Sequence, residues 1–173
     1  MRINPSSSAA ANLVQLISTS NADKPLTADQ VTFGVPAASS QGTANTQVVV
    51  TAVEGQGYKD SQTFHYVRLD LATDASYEGV VAELTDVSEE ATAGELLSFA
   101  VAQLGFVASE VEAGTLTAVD GATDGSLVIN AKADSLVYTG TVTVVLKPVD
   151  TTESLATAFP TDELTGFESP ELV

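Results

Sequence analysis

Leu136-Val137-Tyr138-Thr139-Gly140-Thr141-Val142-Thr143-Val144-Val145-Leu146 sets the class of this chain. Leu136, Tyr138, Val142, Val144 and Leu146 fall on one side of a period of two, with Thr139, Thr141, Thr143 and Lys147 on the other. That alternation belongs to a half-buried β-strand, and β-branched Val and Thr favour it. Gly140 interrupts the run where a bulge fits, and Pro148 ends it.

The same period recurs upstream. Gly114–Val119 and Ser126–Ala131 read as strands joined by the turn Asp120-Gly121-Ala122-Thr123-Asp124-Gly125. Thr46–Val53 reads as a strand, and so does Gln62–Leu71 beyond the turn at Glu54-Gly55-Gln56-Gly57. In the latter, Thr63, His65, Val67 and Leu69 share one face, and Phe64, Tyr66 and Arg68 share the other. Apolar groups on both faces place that strand in the middle of a sheet or at an interface. Val31–Val35 and Val80–Thr85 complete the set, and Ser39–Asn45 is a loop rich in Ser, Gly, Thr and Asn.

Two segments have helical spacing instead. Thr92-Ala93-Gly94-Glu95 has the spacing of a capping box. There the Thr side chain accepts a free N–H of the first turn and the Glu reaches back. Leu96, Leu97, Ala100, Val101 and Leu104 then share one face, and Gly105 stands where a left-handed C-terminal residue is wanted. Near the start, Leu13, Val14, Leu16 and Ile17 form a short amphipathic stripe ending near Ser20-Asn21. A helix this short needs a surface to dock on, its own core or a neighbour's.

Composition narrows the function. In 173 residues there are no Cys, no Trp, one His and six Lys plus Arg, against 23 Asp plus Glu. Catalytic and metal sites draw on His, Cys and positioned cations, so the chain reads as a scaffold and not as an enzyme. A formal charge of −17 repels nucleic-acid phosphates and anionic membrane surfaces. It suits solubility at high copy number. No signal-peptide pattern follows Met1-Arg2-Ile3-Asn4-Pro5, and no apolar run has membrane-spanning length, which implies a soluble chain made in a cytoplasm.

The residues that could carry chemistry each have a structural explanation. His65 lies inside an alternating strand with Ser61 nearby, but without the Gly-x-Ser-x-Gly elbow of a nucleophile. Asp120 and Asp124 offer oxygen ligands for calcium, although EF-hand spacing is missing and a hairpin turn uses the same residues. Glu110 and Glu112, or Glu89 and Glu90, could pair as acid and base on a glycoside, but the aromatic platforms are few. Glu89-Glu90 also precedes a helix N-terminus, where negative charge is favourable. Gly55-Gln56-Gly57 lacks the Lys and the helix of a phosphate loop, and no cofactor motif is present.

Three pieces together resemble a module of virion structural proteins in large tailed bacteriophages. They are Thr46–Val53 with Gly57-Tyr58 and Tyr66–Leu71; the helix end Gln103-Leu104-Gly105-Phe106; and Asp134–Val144. The resemblance spans about Val31 to Leu146 and carries no catalytic residue. It implies a non-enzymatic particle component, as capsid decoration, neck or tail part, assembled in the host cytoplasm. Its partners would be copies of itself and other virion proteins. An adhesin-like surface binding module, with calcium in the Asp120–Asp124 turn, is the competing expectation.

The expected architecture is α+β and mostly β: an antiparallel sheet or sandwich of about six to eight strands with one packed helix. Residues 1–26 would form an N-terminal arm with a helix, 27–150 the β-rich domain, and 151–173 an acidic extended C-terminal arm. Partner contacts are expected at Leu13, Leu16 and Ile17, and at Phe159, Leu164 and Phe167.

Overall fold

The computed structural model describes residues 2–73 and 83–149. The fold is α+β and mostly β, with two helices and two main sheets, each over its own apolar core.

The first half opens with helix α1 (Ala9–Ser20), started by Ser8, whose Oγ accepts the Ala11 N–H. After a 3-10 turn at Ala28–Gln30 come strands β1 (Val31–Phe33), β2 (Ala37–Ala38), β3 (Thr46–Ala52) and β4 (Ser61–Tyr66). β3 is the spine. β1 pairs with its C-terminal end, β2 with its N-terminal end, and β4 runs antiparallel along its other side. β1 and β2 are thus two pieces of one row, parted around Pro36, which has no N–H for the ladder. Val31, Val48 and Val50 turn inward to meet Leu13, Val14 and Ile17 of α1, with Phe64 and Tyr66 at the margin.

The expected N-terminal arm is therefore part of the fold, because its stripe completes this core. Buried Asn12 ties the preceding residues down. Its Oδ1 accepts the Asn4 N–H at 2.8 Å, and its Nδ2 donates to Asn4 O at 3.0 Å and Ser8 O at 3.1 Å.

The second half contains β6 (Glu83–Val87), helix α2 (Ala93–Leu104), β7 (Val111–Thr117), β8 (Gly125–Ala131) and β10 (Thr141–Pro148). The sheet order is β6-β10-β8-β7, with β10 parallel to β6 and antiparallel to β8. Of the expected strand Val80–Thr85, the part before Glu83 lies outside the described residues, and the strand continues to Val87.

α2 forms as its sequence dictates. Thr92 Oγ1 accepts the Glu95 N–H while Glu95 Oε2 accepts the Thr92 N–H at 2.9 Å, and Gly105 takes φ 72° at the C-terminus. Leu96 and Ala100 are buried over the sheet, flanked by Leu97, Val101 and Leu104. The two Thr92 hydrogen bonds hold the Glu95 carboxyl below its usual range.

Two short strands join the halves. β5 (Leu69–Asp70) pairs in parallel with β9 (Tyr138–Thr139). Hence neither long strand expected from the alternation is a single element. The run Gln62–Leu71 leaves the first sheet after Tyr66 and re-forms as β5; within its sheet β4 is an edge, not a middle strand. The run Leu136–Leu146 passes from β9 to β10 through Gly140, at φ 74°. That left-handed φ favours glycine, and a Cβ there would also push the Asp70 carboxylate aside. Of the expected inward set, Tyr138, Val144 and Leu146 are fully buried, and Leu136 and Val142 are partly buried against the same core.

Candidate functional site

The densest set of polar side-chain contacts lies along the seam between the halves. Arg68 stands where the chain leaves the first sheet. Its backbone N–H donates to Asn45 Oδ1 at 2.9 Å, its Nε to Thr46 Oγ1 at 2.9 Å, and its Nη1 to Ser135 O across the seam at 2.7 Å. The next residue, Leu136, is held at both ends. Glu110 Oε2 accepts its N–H at 2.6 Å, and the Tyr66 hydroxyl donates to its carbonyl at 2.9 Å. Buried Ser135 closes the turn, its Oγ accepting the Tyr138 N–H at 2.9 Å. Tyr138 then stands edge-on to Phe106, ring centroids 6.0 Å apart, and its hydroxyl accepts the Val107 N–H.

These contacts use strong donors and acceptors on backbone atoms. The charge-assisted hydrogen bonds of the buried carboxylate, and of a guanidinium that links β3 to the Ser135 turn, offset the cost of desolvating the two charges and fix the geometry. Among the described residues no buried side-chain nitrogen or oxygen lacks a partner. Burial is also the first cause that raises the Tyr66 phenol, to about 12; Arg68 opposes the shift and Glu110 reinforces it.

Beside the seam lies an open groove of about 430 Å³, lined by Leu16 and Asn12 of α1, by His65 and Val67, and by Leu136 and Val137. Leu16, expected at a partner contact, is half-buried on its wall. Leu13 and Ile17, expected to touch a partner, instead face the chain's own core at 4% and 8% exposure, so neither is available on the surface. Phe159, Leu164 and Phe167 lie outside the described residues.

The other candidates are dispersed. His65 is exposed, and its Nδ1 shares a hydrogen bond with Ser39 Oγ at 2.8 Å, not with Ser61. Asp124 pairs with Lys147 at 2.5 Å, and Glu83 lies 3.9 Å from the same ammonium. That hydrogen bond raises the Lys147 pKa. Asp120 closes a tight turn with Thr123, and Gly121 donates its N–H to Glu89 Oε1 at 2.8 Å. Among the described residues no three acidic or His side chains converge at Asp120 and Asp124. Glu110 turns into the seam while Glu112 faces outward, so the two do not form an acid–base pair.

The bracing roles of Arg68, Glu110 and Tyr66 were missed in the sequence. The available signal was Arg68 itself, a cation inside an apolar alternation where only a specific set of acceptors would hold it.

A family model described as a family of unknown function, DUF7941, matches residues 5–172. The chain belongs to DUF7941. No curated protein and no solved structure matches it. The matched span includes both halves and the seam, and extends over residues outside the described ones.

Proposed function

We propose that this DUF7941 chain is a non-enzymatic structural component of a tailed-phage virion, working through contacts with copies of itself and with other particle proteins. The observation that carries the reading is how the charged groups of the seam are used. Arg68 ties Thr46 of the first sheet to the Ser135 carbonyl of the second half, and Glu110 fixes the adjoining Leu136 N–H from within that half. A part that acts by shape needs this kind of bracing. The three segments that resemble phage virion modules support the reading as well. They supply β3, the last residue of β4, β5, the end of α2, and β9 with the first half of β10, which meet at the Tyr66–Leu136, Leu69–Val137 and Phe106–Tyr138 contacts.

Quantitative mass spectrometry of purified particles from the source tests this. The expected result is the chain at a fixed ratio to the major capsid protein, retained through density-gradient purification. Its absence from particles overturns the proposal.

A further inference from the structure

Among the described residues β4 is an edge without the usual protection. Natural edge strands carry Lys, Pro, bulges or a covering segment that blocks pairing with another chain. Ser61-Gln62-Thr63-Phe64-His65-Tyr66 has no Pro and no Asp, Glu, Lys or Arg, and its register against β3 is unbroken over six residues. Ser61, Gln62, Thr63 and His65 are exposed.

The free backbone groups follow from the ladder. The Ala52 N–H donates to Asp60 O, and hydrogen-bonded pairs alternate in an antiparallel ladder. Gln62, Phe64 and Tyr66 therefore bond to β3, whereas Ser61, Thr63 and His65 turn their N–H and C=O outward. Among the described residues these outward groups have no backbone partner.

Charge decides what can occupy the edge. Residues 1–73 carry five carboxylates and four cations, net −1, while residues 74–173 carry eighteen carboxylates and two cations, net −16. Not one Asp, Glu, Lys or Arg lies in α1, β1, β2, β3 or β4. Two copies of an acidic chain repel unless the surfaces that meet are uncharged. The β4 edge meets that condition, and the neighbouring outer face, with Gln47, Val49 and Thr51, continues it.

We infer that the partner at this edge is a second copy of the chain, paired antiparallel β4 to β4 about a two-fold axis at Thr63. This deepens the structural reading above and rests on its premise of self-contact. The register is self-complementary. Thr63 faces Thr63 and Ser61 faces His65 of the other copy, and all three residues have their backbone groups turned outward. Isologous contact of one strand with itself closes as a dimer and exposes no further edge of the same kind.

Sedimentation velocity on the full chain, from about 1 µM to about 1 mM, tests this with Thr63→Lys and Thr63→Pro. Thr63→Lys sets two cations on the axis. Thr63→Pro removes an outward N–H and spares the ladder to β3. The wild type is expected to dimerise, more tightly as added salt screens the −17 charge. Each variant is expected to weaken dimerisation by about tenfold or more, with native circular dichroism. In the wild-type dimer, the Ser61, Thr63 and His65 amides should exchange slowly.

A wild type that stays monomeric throughout overturns the inference, as does a Thr63→Lys variant that associates like the wild type. If Thr63→Pro fails to fold, Thr63→Lys alone decides. The failures are separable: particles containing the chain with unaffected Thr63 variants remove the edge and leave the structural role. A β4-dependent dimer absent from particles does the reverse.

Discussion

The two halves are built from similar strands and bury very different amounts. Among the described residues, sixteen buried apolar side chains form the core around β8, β10 and α2, against six in the core between α1 and β3. The larger core carries the acidic surface, and the smaller one carries none of the Asp, Glu, Lys or Arg on its five elements. Charge sits where burial can offset self-repulsion. The thinly stabilised half stays neutral and presents the open edge.

The strongest way to break this contrast is to excavate both cores. Ile129→Ala, at a fully buried site in the larger core, is expected to lower stability by about 4 kcal/mol. Val48→Ala in the smaller core should lower it by about 2 kcal/mol. Urea denaturation measures both. About 1 kcal/mol of the difference is the extra carbon that Ile129→Ala deletes, so equal losses would mean that the smaller core is the better packed of the two.

A second break goes through the seam. Arg68→Ala leaves Ser135 O without its donor, takes one of two hydrogen bonds from Thr46 Oγ1, and is expected to cost about 2 kcal/mol. The denaturant slope should fall as the halves melt separately. Arg68→Lys should not restore it, because an ammonium cannot span both acceptors as a fork. An unchanged slope in Arg68→Ala would show that Tyr66 and the β5–β9 pair suffice to couple the sheets.

pH sharpens the same comparison. The Tyr66 phenol is raised to about 12 in the fold, above the unfolded value near 10. The unfolded chain therefore releases this proton first. The stabilisation is complete below about pH 10 and is lost as pH climbs toward 12. The loss should be at most about 2 kcal/mol, since the group is only partly buried and solvent screens it. Thermal melts between those limits should show Tyr66→Phe losing less than the wild type. Parallel curves would place the alkaline loss elsewhere.

The smallest expected effect compares the helix starts. Thr92→Ala removes a reciprocal cap and should cost about 1 kcal/mol, whereas Ser8→Ala removes a single acceptor and should cost about half that. Differential scanning calorimetry resolves the difference. Equal shifts would mean that the Glu95 half of the capping box adds nothing.

Features settled by neighbours along the chain were legible in the sequence. Thr92, Glu95 and Gly105 marked α2 because caps are local chemistry, and the inward set of Tyr138, Val144 and Leu146 followed from the period of two. That period is blind to which strand lies alongside. It ran β4 into β5 and β9 into β10, and it carried no hint of the parallel β6–β10 pair, whose partners are some sixty residues apart. The left-handed Asp60 and Asp86 (φ 66° and 58°) had no signature either, since Asp is common in ordinary turns. The seam was hidden for a related reason. Glu110 was legible only as a carboxylate beside Glu112, because the Leu136 N–H that it accepts at 2.6 Å lies 26 residues away in the chain.

The passage from β10 through Gly140 into β9 also makes the chain a strap that carries force between the halves. β10 lies between β6 and β8, and its continuation β9 is bonded to β5 of the other half. Tension applied beyond Val149 runs along β10, so its ladders resist in shear, with many hydrogen bonds sharing the force. From there it passes across the seam to β5, where Arg68 and Tyr66 lead it into β4 and β3. A pull at one end of the molecule thus reaches its uncharged edge through continuous backbone and one row of clamps.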